Sequence, residues 1–364
     1  MPLAEPLQQI DRTFVLFRGR KLSYFGGCDY FRLSSHPDVL RALHAGAKQF
    51  GLNVAASRFT TGNHVLFRKL EMELARFFGV EQAALLSNGY ATNLALAQGI
   101  AGRFTHAFVD ERSHGSPLDA AELLHCEVKT FRHRDGQDLR RHLKACRSPA
   151  TVVLTDGLFS HDGSVAPLHE YLGLLPRRGL LLVDDAHGAG TLGESGKGTL
   201  EVEGVRDPRV VQTISLSKAF GVYGGAILGT APLIREVQEG SRIFKGNTPL
   251  PLPLANAALA SLKLLRANPS WRQRLHANTS RIKTVLRSAE VPIADNESPI
   301  VTLVPASSPH AARIRQELSR RKIFPPLVRY GEKPGPAFFR FAISSEHTGG
   351  QLDALASALI AAAH

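Results

Sequence analysis

Cysteine is scarce: Cys28, Cys126 and Cys146 are the only three in 364 residues, an odd number with no metal-ligand spacing. Neither a disulfide framework nor a zinc site is indicated, and a reduced, cytoplasmic setting is the expectation. No apolar run approaches the ~20 residues of a membrane-spanning helix. The opening MPLAEPLQQIDRTF lacks the basic-then-apolar layout of a secretory signal. Internal repeats and low-complexity tracts are also missing. Acidic residues are in the minority, 32 against 44 lysines and arginines, which gives a formal charge of +12 and a pI near 9.9. Such a balance favours anionic partners in general. The densest basic stretch, Lys129–Arg147, carries Asp135, Asp138, Leu139 and Leu143 among its cations at helical spacing and has no aromatic platform. It reads as a solvated helix face rather than a nucleic-acid stripe.

What is present is globular composition, 43% hydrophobic and 21% charged, enough for one large or two moderate domains. In NHVLFRKLEMELARFFG (Asn63–Gly79), Leu66, Leu70, Leu74, Phe77 and Phe78 form one stripe that stops at a glycine, which predicts an amphipathic helix. Short apolar runs recur at Ala83–Leu86, Ala107–Val109, Thr151–Leu154, Leu180–Val183, Val210–Ile214 and Ala226–Leu228. Helical periodicity lies between them, as in Pro117–Leu124 and Asp138–Cys146. Apolar strands alternating with helices predict an α/β protein with a mainly parallel sheet covered on both faces. In such sheets the polar residues just past the strand ends are the usual site positions. Beyond residue 240 the proline-rich GNTPLPLPLANA precedes one long helical stretch, Ala255–Ala289, then strands at Val301–Val304 and Phe338–Ile343 and a closing helix at Gln351–Ala363. The expected organisation is an N-terminal segment (1–45) packing with the small domain, a large α/β domain (46–240) and a small C-terminal α+β domain (241–364).

TISLSKAFGVYGG (Thr213–Gly225) sets Lys218 among hydroxyl residues and glycines. Three roles are open to it: a solvated loop lysine, the base of a Ser215-x-x-Lys218 nucleophile pair, or a lysine that condenses with an aldehyde. A serine hydrolase of the second kind also needs S-D-N-like and K-T-G-like elements, and the chain has none. Asp184 follows the strand Leu180–Val183 and lies 34 residues before Lys218. An aspartate and a lysine at neighbouring strand ends suit an aromatic nitrogen heterocycle, the carboxylate keeping the ring nitrogen protonated, as with pyridoxal phosphate. Ser87–Asn93 (SNGYATN) follows a strand and opens a helix; its unsatisfied backbone N–H groups suit a phosphate, to which Ser215 could add a hydroxyl.

SNGYATN, DERSHGS, TDGLFSHDG, VDDAHGAGTLGESGKG and SLSKAFG stand in this order along the chain. In order and spacing they resemble the α-oxoamine synthases, a branch of the fold-type-I pyridoxal-phosphate transferases, over about Asp29 to His347. The resemblance implies that Lys218 binds the cofactor covalently and that Asp184 partners its pyridine nitrogen. It further implies that His187 and Ser160 hydrogen-bond the phenolic oxygen and that His114 stacks on the ring. Gly89 and Tyr90 would offer backbone N–H groups to the phosphate beside Ser215. Thr248 resembles a residue that reaches the phosphate from a second subunit, which implies a homodimer with sites at the interface. Arg340, in FFRFAISSEH, matches the arginine that grips the substrate carboxylate, and Cys28 stands in the substrate region. The implied reaction is a decarboxylative condensation of a small α-amino acid with an acyl thioester of coenzyme A or a carrier protein. The favoured analogy is the 8-amino-7-oxononanoate synthases of biotin biosynthesis, which take alanine; no nucleic acid and no membrane are implied.

The departures from the family pattern cluster where substrate is expected. Asn53–Arg58 (NVAASR) replaces a glycine-rich stretch, Phe67 stands where histidine is common, Cys28 replaces an asparagine and Arg32 a glycine. An early arginine that some members use for the acyl substrate has no counterpart. The alternatives are an aminotransferase using the same cofactor, a synthase with another amino acid or acyl donor, and a cofactor-binding regulator. The last would need an added DNA-binding domain for which the chain leaves no room.

Overall fold

A computed structural model describes residues 4–329 and 337–363. Three short strands open the chain, β1 (Gln8–Asp11), β2 (Phe14–Phe17) and β3 (Arg20–Ser23), paired antiparallel in that order. Seven follow: β4 (Gln82–Leu86), β5 (His106–Asp110), β6 (Glu127–Phe131), β7 (Thr151–Asp156), β8 (Leu180–Asp184), β9 (Val210–Ser215) and β10 (Gly225–Gly229). These form one sheet in the order β4-β10-β9-β8-β7-β5-β6. The pairs from β9 across to β6 are parallel, whereas β10 runs antiparallel to both its neighbours. A last sheet joins β11 (Ile300–Leu303), β12 (Leu327–Val328) and β13 (Phe338–Ala342) antiparallel, with β13 in the middle.

The chain forms two compact units, each with its own core. One draws on Met1–Ser35, Ser160–Ser164 and Ser270–His364, the other on His36–Phe159 and Val165–Pro269. In the larger unit the sheet, apart from its edge strand β6, is buried on both faces, and the period of two sorts its side chains. Leu180 and Leu182 of β8 join a cluster with Val109, Leu154 and Val211. Leu181 and Val183 point the other way, to Phe108, Val153 and Tyr171. This is why the parallel strands read as continuous apolar runs. The smaller unit packs Ile282, Leu286, Leu303, Phe339, Phe341 and Leu355 around its own sheet. Among the described residues no helix is long and apolar enough to cross a membrane.

Every apolar run singled out above is a strand, and the Asn63–Gly79 stripe is the helix Val65–Phe78. Four features differ from expectation. Glu127–Phe131 is an edge strand that overlaps the start of the stretch taken as a helix face; only Phe131 of it is buried, so it lacks the apolar signal. The predicted helix 255–289 is two, Leu252–Ala267 and Pro269–Ser288, because proline at 269 disfavours helical backbone at Asn268. The N-terminal strands were not predicted: Gln8–Asp11 is wholly exposed. Finally, the second seam falls at Pro269 rather than near 240, since the helix Leu252–Ala267 packs on the helix Pro37–Phe50 of the larger unit.

Candidate active site

Parallel register carries three polar residues to neighbouring strand ends: Asp156 of β7 pairs with Asp184 of β8, and Asp184 with Thr213 of β9. Asp184 is fixed from several sides. Its Oδ2 accepts from Asn93 Nδ2 at 2.6 Å and from Ser116 Oγ at 3.4 Å, and its Oδ1 from the Ala186 N–H at 3.1 Å. Asn93, fully buried on the helix Gly89–Gly99, accepts in turn from Thr213 Oγ1 at 2.6 Å. A carboxylate braced this way keeps its charge in one place without reorganising. Asp185 points elsewhere. Its Oδ2 accepts from the Thr199 N–H at 2.9 Å and Gln212 Nε2 at 2.7 Å, and burial pushes its pKa up to about 7.

Lys218 lies in the turn after β9, and its Nζ stands 2.8 Å from Nε2 of the buried His187. His114 caps the helix Gly115–Glu122, its Nδ1 accepting from the Ser116 N–H at 3.2 Å. Burial holds its imidazole below the ordinary range, Asp184 pulling up and Lys218 pushing down; the three groups therefore share one electrostatic site. Asp156 belongs to it as well. Its Oδ1 accepts from the His114 N–H at 3.0 Å, and burial, reinforced by the neighbouring Asp184, raises its carboxyl well above the ordinary range.

The helix Gly89–Gly99 starts beside Ser215. A Cβ on Gly89 would sit 2.8 Å from Ser215 Cβ, so only glycine lets this helix N-terminus approach the hydroxyl. Asn88 caps the helix by accepting from the Ala91 N–H at 2.9 Å, leaving the Gly89 and Tyr90 amides without helical acceptors. The Tyr90 ring meets His114 edge-on at 6.2 Å, and its hydroxyl donates to Asp119. Thr248 is exposed on the segment before the helix Leu252–Ala267.

The remaining expected residues belong to the smaller unit. Ser160 is buried there. Arg340, on β13, donates from Nη2 to Cys28 Sγ at 2.6 Å, so the cysteine that replaces the family's asparagine lies against the expected carboxylate-binding guanidinium. Arg32 has φ +53°, the left-handed backbone that explains the family's glycine at this position. Its buried guanidinium donates to the Tyr24 carbonyl at 3.0 Å. His347 Nε2 lies 3.0 Å from the same carbonyl, and burial, aided by Arg32, drives that imidazole's pKa down to about 3. In the larger unit Arg58, at the end of the altered loop, pairs with Glu71 and also donates to Asn63.

This donor set fits pyridoxal phosphate. A helix N-terminus with a hydroxyl beside it suits a phosphate, a braced carboxylate suits a ring nitrogen, and a lysine beside a histidine suits an aldehyde next to a phenolic oxygen. Residues 25–359 match the family described as aminotransferase class I and II. The chain belongs to that family. It is 35% identical over 345 residues to 8-amino-7-oxononanoate synthase of Thioalkalivibrio sulfidiphilus (94% of this chain, 88% of that one). With the Methylococcus capsulatus enzyme of the same name it shares 36% over 355 residues (95% and 90%). Serine palmitoyltransferase of S. paucimobilis, solved with a bound PLP–myriocin aldimine, superposes with TM-score 0.91 at 26% identity, covering 98% of this chain and 90% of that one. Sphingomonas wittichii serine palmitoyltransferase gives 0.90 at 27% with the same coverage. The chain is thus a pyridoxal-phosphate enzyme of the α-oxoamine synthase branch, with the fold-type-I architecture.

Sequence reasoning assigned no role to Asn93, Asp156, Ser116 or Thr213 in this synthase. All four stand inside quoted stretches, but their task, bracing or flanking Asp184, appears only once the fold brings distant segments together.

Proposed function

We propose that the enzyme condenses a small α-amino acid, alanine in the first instance, with an acyl thioester, releasing thiol and carbon dioxide and forming an α-amino ketone. When bound, pyridoxal phosphate supplies the electron sink for charge developing at the amino acid Cα. Asp184 holds negative charge at the ring nitrogen, and Asn93 keeps that carboxylate aimed. Gly89, Tyr90 and Ser215 bind the phosphate, with Thr248 of a neighbouring copy completing it in a homodimer. His187 and Ser160 donate to or accept from the phenolic oxygen, and His114 covers the ring face. Lys218 holds the cofactor at rest and, as a neutral amine, takes the proton from the amino acid Cα. Arg340 receives the amino acid carboxylate in a two-point contact, displacing its contact with Cys28.

The observation that carries this reading is Lys218 Nζ at 2.8 Å from His187 Nε2, in the electrostatic site that also contains Asp184. The name of the sequence relatives, 8-amino-7-oxononanoate synthase, supports an α-amino ketone product. It is tested by incubating holoprotein with small amino acids, with and without acyl thioesters of coenzyme A or carrier protein, while following thiol release and the state of the cofactor. Thiol released only when both substrates are present supports condensation. No thiol with any donor, together with stoichiometric conversion of the cofactor to its amine form, makes the protein an aminotransferase.

A further inference from the structure

In the smaller unit the helix Pro269–Ser288 carries a lysine at the centre of a core. Lys283 is 1% exposed, and its Nζ donates to the Asn296 carbonyl at 2.9 Å, to Asn296 Oδ1 at 2.7 Å and to the Ser298 carbonyl at 2.7 Å. All three acceptors are neutral. Burying an ammonium without a carboxylate partner is costly, and burial does push its pKa down to about 8. A methionine would fill the same space with no desolvation cost. The lysine's contribution is directional: two of its hydrogen bonds lock Asn296 and the third holds the Ser298 carbonyl.

That asparagine faces a loop. Asn296 Nδ2 donates to the Asp162 carbonyl at 2.9 Å, and Ser298 Oγ donates to Asn296 Oδ1 at 2.7 Å. Gly163, at φ +77°, presses so closely on Ser298 that a Cβ there would lie 2.0 Å from its Oγ. Asp162 Oδ1 closes the turn by accepting from the Ser164 N–H at 2.9 Å and its Oγ at 2.7 Å. The turn held in this way begins two residues after Ser160.

We propose that Lys283, acting through Asn296, is a positioning residue that fixes the turn after Ser160 and thereby the direction in which the Ser160 hydroxyl points. This rests on the proposed contact of Ser160 with the cofactor's phenolic oxygen. The chain's own residues perform the task without touching cofactor or substrate: Lys283 orients the amide, and the amide holds the loop carbonyl.

The experiment is a double-mutant cycle read by spectroscopy on the holoprotein. Visible absorption of lysine-bound pyridoxal phosphate titrates with pH, and its midpoint responds to hydrogen bonds at the phenolic oxygen. Ser160→Ala should move the midpoint by about half a unit or more, and Asn296→Ala should move it in the same direction. The double variant Ser160→Ala/Asn296→Ala should match Ser160→Ala alone, because the second change has nothing left to aim. Lys283→Met should reproduce Asn296→Ala, and Lys283→Arg, which keeps donors, should restore most of the midpoint. In apoprotein, amide exchange across residues 160–164 should quicken in Asn296→Ala. The proposal is overturned if Asn296→Ala lowers thermal stability and leaves the midpoint where it was, or if the two shifts add. Asn296→Ala decides alone should Lys283→Met fail to fold. Wild-type protein that gives no visible band with pyridoxal phosphate would overturn the functional reading, and this inference with it.

Discussion

Replacing Asp184 by asparagine removes a charge while nearly keeping a shape, and the same change at Asp185 is its natural control. Asp184 accepts from Asn93 and Ser116 at Oδ2 and from Ala186 N–H at Oδ1. An asparagine can present its oxygen to one side only, so one bond to a charged acceptor is lost, about 2 kcal/mol of stability. The larger effect is on the reaction, where loss of the carboxylate beside the ring nitrogen should cost about 3–4 kcal/mol, a 10²–10³-fold fall in kcat. At Asp185 only Oδ2 has partners, Thr199 N–H and Gln212 Nε2. Its Oδ1 is buried without one among the described residues. An amide placed there keeps both bonds and puts its NH₂ where nothing is lost. Asp185→Asn should therefore leave kcat within about twofold. It should instead change the pH dependence of stability. The folded pKa of about 7 lies above the ordinary 3.8, so this group stabilises the native state fully below pH ~4 and loses that contribution as pH rises to ~7, at most about 4 kcal/mol. Urea unfolding at pH 4, 5.5 and 7 measures it: the variant should lack this decline. Equal loss of kcat in both variants, or an unchanged pH slope in Asp185→Asn, would refute the division of labour between these two aspartates.

Lys218→Ala should abolish borohydride-stable attachment of pyridoxal phosphate, and peptide mapping of the wild type should find the label on Lys218; a label on another lysine contradicts the assignment. Gly89→Ala forces a Cβ to 2.8 Å from Ser215, which should cost about 1–3 kcal/mol of strain and weaken the cofactor in fluorescence titrations roughly tenfold or more. His347, with a folded pKa of about 3 against an ordinary 6.5, contributes stability above pH ~6.5 that is lost as pH falls toward ~3, and His347→Gln should flatten that acid limb in thermal melts.

The sheet was legible because its strands are buried on both faces, so residues such as Leu180–Val183 left no alternation to misread. Glu127–Phe131 escaped because an edge strand with four exposed residues resembles any polar segment. Lys218, Asp184 and His187 could be singled out from one chain because each stands in a short motif at a strand end. The bracing of Asp184 by Asn93 could not, since it depends on a contact across 91 positions. The loop held by Lys283 was illegible for a related reason: a lone lysine on a helix looks like a surface charge until the core is known to surround it. Arg32 is the converse case, where the sequence showed a departure from glycine and only the backbone, at φ +53°, gave its meaning.

In the proposed reaction, bond formation to an acyl group, rather than exchange of an amino group, follows removal of the amino acid's Cα proton. Alanine labelled with ¹³C at its carboxyl, incubated with holoprotein and an acyl thioester, tests it most directly. Condensation requires labelled carbon dioxide and thiol to appear in equal amounts, with no pyruvate. Labelled pyruvate appearing in place of carbon dioxide, with the thioester intact, would contradict it.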